Sequence, residues 1–168
     1  MAKESITLKE VEIGWLGIKG KWVADREQIL AAWELYVELV TRIAVQPLQP
    51  GQGLLREALA SLYALFAETR RILKTHGPGV ATAATKGSLS LGLIAVKVLN
   101  QELRPVLSQW HPELQAHEQR RPADVSPLAH ERAWARHDEM RNVLEGVRAH
   151  LEQYADLLAI VAGIQPLK

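Results

Sequence analysis

The chain contains no cysteine, which removes disulfides, thiolate nucleophiles and cysteine-ligated metal sites together. It also lacks a long apolar run. The most hydrophobic stretch, Leu89 to Leu99, is interrupted by Lys97 and is far shorter than the ~20 residues that span a bilayer, so it reads as a buried core helix. Charge of neither sign dominates: 20 basic and 19 acidic residues leave a net charge of +1, and composition demands no polyanionic partner. The opening Met-Ala-Lys-Glu-Ser has no apolar core of a secretory leader, so a cytoplasmic protein with no membrane partner is expected. Several chemistry-bearing motifs are absent as well. The sequence has no Gly-x-Gly-x-x-Gly or Walker loop, no Gly-x-Ser-x-Gly elbow, and no Glu-x-x-His of the kind di-iron bundles place on facing helices.

Phenylalanine occurs once, against five tryptophans. Tryptophan combines a large apolar face with one N–H that wants an acceptor, which suits interfaces and the ends of packed helices. The remaining composition, 48% hydrophobic and 23% charged over 168 residues, is that of one globular domain able to bury a core, with disorder confined to its ends.

The pattern that organises this material lies in residues 126–162, which read as one helix of about ten turns. His137, Met140, Leu144, Val147, Leu151, Tyr154, Leu158 and Val161 recur at alternating steps of 3 and 4, the spacing of a helix packed along its length against antiparallel neighbours. Ser126 with Pro127 suits its start and Gly163 its end. A first helix is expected from an Asp25 cap, with Gln28 completing a capping box and Ile29, Trp33, Tyr36, Val37, Val40, Ile43 and Ala44 inward. A second runs over 53–75 with Leu55, Leu59, Leu62, Leu65, Phe66, Thr69, Ile72 and Leu73 inward, and stops at His76-Gly77-Pro78-Gly79. A small, polar loop over 80–87 precedes a third helix from Ser88. That helix is apolar nearly all round at first, which marks the most central one, with Gly92 and Ala95 permitting close approach. It should kink at Pro105 and break at His111-Pro112.

Residues 1–24 differ from the rest. Ile6, Leu8, Val11, Ile13 and Trp15 alternate with polar residues, and Gly14, Gly17 and Gly20 follow. This reads as a strand, a hairpin or an extended arm that packs on the helices or joins a partner's sheet edge. The expected fold is therefore an all-α, antiparallel four-helix bundle over residues 25–168, with an N-terminal extended or β-like arm over 1–24. From the helix lengths, the hairpin of the last two helices should overhang the first two, with a tip from Trp110 to His137.

That tip holds the candidate chemistry. Five of six histidines lie between 111 and 150, and the tip brings His111, His117, Glu118, His130 and Glu131 together as metal-ligand candidates. The spacing argues against a zinc helix: Trp134 stands where His130-Glu131 would need its second histidine. Titration of these imidazoles near neutrality also offers a pH switch. Arg70, Arg71 and Lys74 form a small basic face. At the tip Arg120, Arg121, Arg132, Arg136 and Arg141 are interleaved with Asp124, Glu131, Asp138 and Glu139, so nucleic acid is a weaker partner expectation than a protein or a second copy.

The stretches Ala31-Ala32-Trp33-Glu34-Leu35-Tyr36-Val37-Glu38-Leu39 and Gly53-Leu54-Leu55-Arg56-Glu57-Ala58-Leu59, with Trp110-His111-Pro112, Arg121-Pro122, His130-Glu131 and Trp134, resemble small helical bacterial proteins known only as hypothetical. The resemblance covers the chain from about Gly14 onward. It implies no catalytic or cofactor-binding residues, since the group has no assigned activity, and it implies an accessory subunit beside multi-component defence or signalling systems. The expectation is a non-catalytic interaction or assembly subunit without cofactor, with Trp15, Trp22, Trp110, Arg121 and Trp134 as its contact residues. The rivals are a small metal- or ligand-binding protein or enzyme using the His/Glu tip, and a subunit of a nucleoprotein particle.

Overall fold

The computed structural model describes residues 9–167 other than 48 and 50; Ile6 and Leu8 lie outside the described residues. The chain is mainly helical with a small N-terminal sheet. Strands β1 (Lys9–Trp15) and β2 (Ile18–Ala24) form an antiparallel hairpin in register from Lys9 opposite Ala24 to Trp15 opposite Ile18. Its two turn residues, Leu16 and Gly17, both have positive φ, 48° and 70°. Positive φ at both positions matches the twist of the flanking strands; glycine adopts it freely, whereas leucine is strained by roughly 1 kcal/mol.

The period-two pattern sets the hairpin's faces. Ile13, Ile18 and Trp22 are buried in the same core as the helices, while Glu12 and Lys21 stand opposite each other on the exposed face and Lys21 pairs with Glu10. The free side of β2 is closed by one rung, where the Leu89 N–H donates to the Lys21 carbonyl at 2.7 Å. Among the described residues nothing pairs with the outer edge of β1.

Helix α1 (Arg26–Val40) starts at Asp25, whose carboxylate accepts the Gln28 N–H at 2.9 Å. The expected capping box does not close, because the Gln28 side chain turns inward instead. It is fully buried; its Oε1 accepts from the Trp22 indole at 2.8 Å and the Leu91 N–H at 2.9 Å, and its Nε2 donates to the Thr82 carbonyl at 3.1 Å. One amide thereby joins the hairpin, α1, the 80–87 loop and the next helix. The inward face of α1 is accordingly Ala31, Ala32, Leu35, Tyr36 and Leu39, packed chiefly against the last helix. This corrects the expected seam: Trp33 is 40% and Ile43 58% exposed, because the face with two alanines is the one that lets two helices approach closely.

Helix α2 (Leu55–His76) buries Leu55, Leu59, Leu62, Leu65, Thr69 and Ile72 as the spacing predicts, and Phe66 and Leu73 flank them. In the following loop Val80 is buried in a short 3-10 turn (Pro78–Ala81). Helix α3 (Leu91–Lys97) begins at Ser90, whose hydroxyl accepts the Leu93 N–H. It is not enclosed on all sides, since Leu93 and Val96 are 43% and 45% exposed. Gly92 does serve a close approach: a Cβ there would sit 2.9 Å from Ala81 Cα.

The expected break at His111-Pro112 is replaced by one continuous helical run. A π turn (Val98–Leu103) separates α3 from α4 (Arg104–Glu118). The wider turn shifts the hydrogen-bond register so that Pro105 falls in the first turn of a new α segment, where its missing N–H costs least. Pro112 lies inside α4 without ending it.

The expected last helix is divided. Helix α5 (Pro127–Arg132), capped by the Ser126 hydroxyl, ends four residues before α6 (His137–Ala162). The seam itself is present in α6, where Met140, Leu144, Val147, Leu151, Tyr154, Leu158 and Val161 are buried, and Gly163 ends the helix in the left-handed region at φ 73°. Helix α6 lies against α1, and α2 against α1 and α4. Among the described residues no helix is long and apolar enough to cross a membrane.

Candidate functional site

The tip does not overhang. It is folded back over the start of α2, and the residues that suggested chemistry make the joint. Leu54, at the N-terminal boundary of α2, offers no side-chain cap. Glu131 supplies it from α5: its carboxylate, 4% exposed, accepts the Leu55 N–H at 2.9 Å. A carboxylate at a helix N-terminus satisfies an orphan donor and also complements the helix dipole.

Beside it, Arg56 holds Glu118 with two bonds, Nε to Oε1 at 2.9 Å and Nη2 to Oε2 at 2.7 Å. The third edge of the same guanidinium donates to His111 Nδ1 at 3.0 Å. Because arginine only donates, that nitrogen is the acceptor and the proton sits on Nε2, which is buried with no partner among the described residues. Burial first, then the Arg56 charge, push the His111 pKa below the ordinary imidazole value, with Glu118 opposing.

His117 and His130 form the centre of the tip. Their rings are stacked with centroids 3.9 Å apart and planes 6° from parallel. Each Nε2 lies 2.9 Å from the backbone carbonyl of the other residue. A carbonyl only accepts, so both Nε2 atoms are protonated donors, and the two bonds tie α4 to α5. The stack continues: Trp134 lies 5.3 Å from His117 at 18°, Trp110 meets Trp134 edge to face at 6.0 Å, and the Arg136 guanidinium lies 4.3 Å from the centre of the Trp110 ring. Arg136 also pairs with Glu113 and Glu139. This ladder, with Glu131 anchored on α2, explains the division of the expected long helix: residues 133–136 leave the helical path to insert Trp134 between His117 and Trp110.

The metal-ligand candidates of the sequence all make structural bonds in the fold. His117 and His130 donate through Nε2, Glu118 is bound by Arg56, and Glu131 is buried as a cap. Among the described residues no group of three or more metal-binding side chains is placed to hold an ion. The contact residues are divided too. Trp22 and Trp110 are 0% and 1% exposed, so they are interior anchors of this chain and present no surface. Trp15 is partly buried and stacks on Tyr154 at 5.7 Å. Trp134 is half-buried, and Arg121, exposed, braces its own turn by donating to the Val125 carbonyl. The tip cations are largely engaged: Arg132 donates to the Gly51 carbonyl and Arg141 to that of Gln49.

A second concavity has no counterpart in the sequence reading. Between α2 and α4, Tyr63, Phe66, Arg70, Arg104, Leu107, Ser108 and His111 line a cavity of about 280 Å³. The signal existed: steps of 3 and 4 put Tyr63, Phe66 and Arg70 on one stripe of α2, and Arg104, Leu107, Ser108 and His111 on one stripe of α4. Helical spacing alone places Phe66 in the core and Arg70 on a separate basic face, and it carries no information that α2 and α4 bring the two stripes together.

Fold and site define a mainly helical protein braced by a β-hairpin, with its histidine tip engaged in structural bonds. No protein-family model, curated protein sequence or solved structure matches the chain.

Proposed function

We propose that this chain is a non-catalytic interaction subunit, built as an antiparallel bundle of α1, α2, the α3–α4 run and α6, that receives an extended strand of a different protein on the outer edge of β1. The observation that carries this reading is the open edge itself: β1 has seven residues of backbone with no second neighbour among the described residues. Unpaired strand edges bind extended chains through main-chain hydrogen bonds. Charge selects the occupant. Glu10 and Glu12 are exposed along β1, so a symmetric β1–β1 pairing gathers like charges, whereas a partner strand with basic side chains is favoured. The engagement of the tip's imidazoles and carboxylates in structural bonds supports a role without acid–base chemistry, and an accessory-subunit role agrees with the resemblance stated above.

The test is native mass spectrometry of the protein purified gently from its host, followed by hydrogen exchange on whatever complex is found. A stoichiometric second protein that slows exchange of the 9–15 amides, and whose binding weakens about tenfold (~1.4 kcal/mol) with Glu12→Lys, agrees with the proposal. A bare monomer, a homo-oligomer through β1, or a partner that leaves β1 exchange unchanged overturns it.

A further inference from the structure

We infer that the cavity between α2 and α4 is a binding site for a small planar aromatic monophosphate, a ligand of the mononucleotide type. Two features define that chemistry. The first is uncompensated positive charge. Arg104 donates from Nε and Nη2 to the Asn100 side-chain oxygen at 3.0 and 2.9 Å; this neutral partner fixes the guanidinium in place and leaves its charge intact. Arg70 forms no ion pair among the described residues, and no acidic side chain is among the residues lining the cavity. Surface arginines elsewhere in this chain, such as Arg71, Arg136 and Arg148, pair with glutamates.

The second feature is a set of ring faces held for stacking. Tyr63 is 64% exposed, yet it is fixed on two sides, tilted against Phe66 at 6.3 Å and perpendicular to His111 at 5.9 Å. The Arg104 guanidinium lies 5.4 Å from the Phe66 ring centre. A ring entering here can stack on Tyr63, with Phe66 and Leu107 as an apolar floor and the two guanidinium groups beside it for the phosphate. Arginine suits both tasks, because its planar group stacks on rings and holds phosphate oxygens with paired donors. His111 borders the same cavity with an Nε2–H that has no acceptor among the described residues. A volume of about 280 Å³ lies just under the usual range of ligand sites, roughly 300–1,000 Å³, which suits one nucleotide better than a dinucleotide cofactor. This site is separate from the β1 edge.

The experiment is isothermal titration of the full chain with the four nucleoside monophosphates, with adenosine and inorganic phosphate as half-ligands. Saturable 1:1 binding of at least one monophosphate is expected, with each half-ligand at least about tenfold weaker. Stacking on an aromatic side chain contributes ~1–3 kcal/mol, so Tyr63→Ala should weaken binding about tenfold or more. Arg104→Gln should do the same, and its loss should diminish at high salt. Arg120→Gln, at the tip, should leave affinity unchanged. All three variants are checked for native circular dichroism first. Absence of saturable binding by any monophosphate at millimolar concentration overturns the inference, and so does binding that survives both Tyr63→Ala and Arg104→Gln.

Discussion

Gln28→Met is the sharpest test of how this fold is held together. Methionine matches glutamine in length and shape, so the substitution leaves little cavity and removes only hydrogen bonding. Three partners lose their bond at once: the Trp22 indole N–H, the Leu91 N–H and the Thr82 carbonyl. The Trp22 and Leu91 donors are buried around a side chain that is 0% exposed, so water does not readily replace it, whereas Thr82 lies at the surface and its carbonyl can turn to solvent. A buried donor or acceptor left unmade costs ~1–3 kcal/mol. Two of them, with part of the cost recovered by local relaxation and by burying a thioether in place of an amide, give about 2–5 kcal/mol. That is a large share of the ~5–15 kcal/mol by which domains are stable. The assay is urea unfolding followed by tryptophan fluorescence and far-UV circular dichroism, with Gln109→Met, exposed on α4, as a control expected to stay within ~0.5 kcal/mol. A Gln28→Met loss below ~1 kcal/mol refutes the argument that this amide joins hairpin, loop and helices.

Two further outcomes follow from named contacts. Gly92→Ala places a Cβ 2.9 Å from Ala81 Cα and Cβ; overpacking against backbone costs ~1–3 kcal/mol, more than the ~1 kcal/mol that alanine contributes in a helix, so thermal unfolding should shift downward. A rise in melting temperature contradicts the close approach. His111, whose folded pKa lies below the usual 6.5 through burial and Arg56, contributes stability that is complete above that value and is lost as pH falls through its folded pKa. Between pH 7.5 and 5, wild type should therefore lose more stability than His111→Gln in paired chemical-denaturation series. Equal losses refute the assignment of a neutral, half-buried imidazole.

The parts of this protein that could be read along the chain are those whose energetics are local. The α6 seam, the inward stripe of α2 and the Asp25, Ser126 and Gly163 caps all depend on neighbours within a few residues. Helical spacing and capping chemistry encode them directly. The alternation of Val11, Ile13 and Trp15 similarly marked a strand. The buried faces of α1 and α3 differ from those that periodicity predicts, because apolar periodicity says which residues can be buried, not which neighbour arrives. Trp33 and Val96 stayed outside once Ala31, Ala32 and Gly92 had determined where the closest contacts fall.

Sequence alone thus determined that this is a helical chain with no thiol chemistry, where most helices start and stop, and that histidines, glutamates and tryptophans would gather near residues 110–137. Tertiary structure alone decided what those residues do. Glu131 caps a helix that begins 76 positions earlier in the chain, His117 and His130 lock each other's backbone, and Arg104 of α4 lines one cavity with Tyr63 and Arg70 of α2. Each of these depends on which buried polar group finds its partner, and a partner far away in the chain is chosen by packing. No spacing rule reaches that distance, because a hydrogen bond or a ring stack takes its strength from ångströms in space rather than from steps along the sequence.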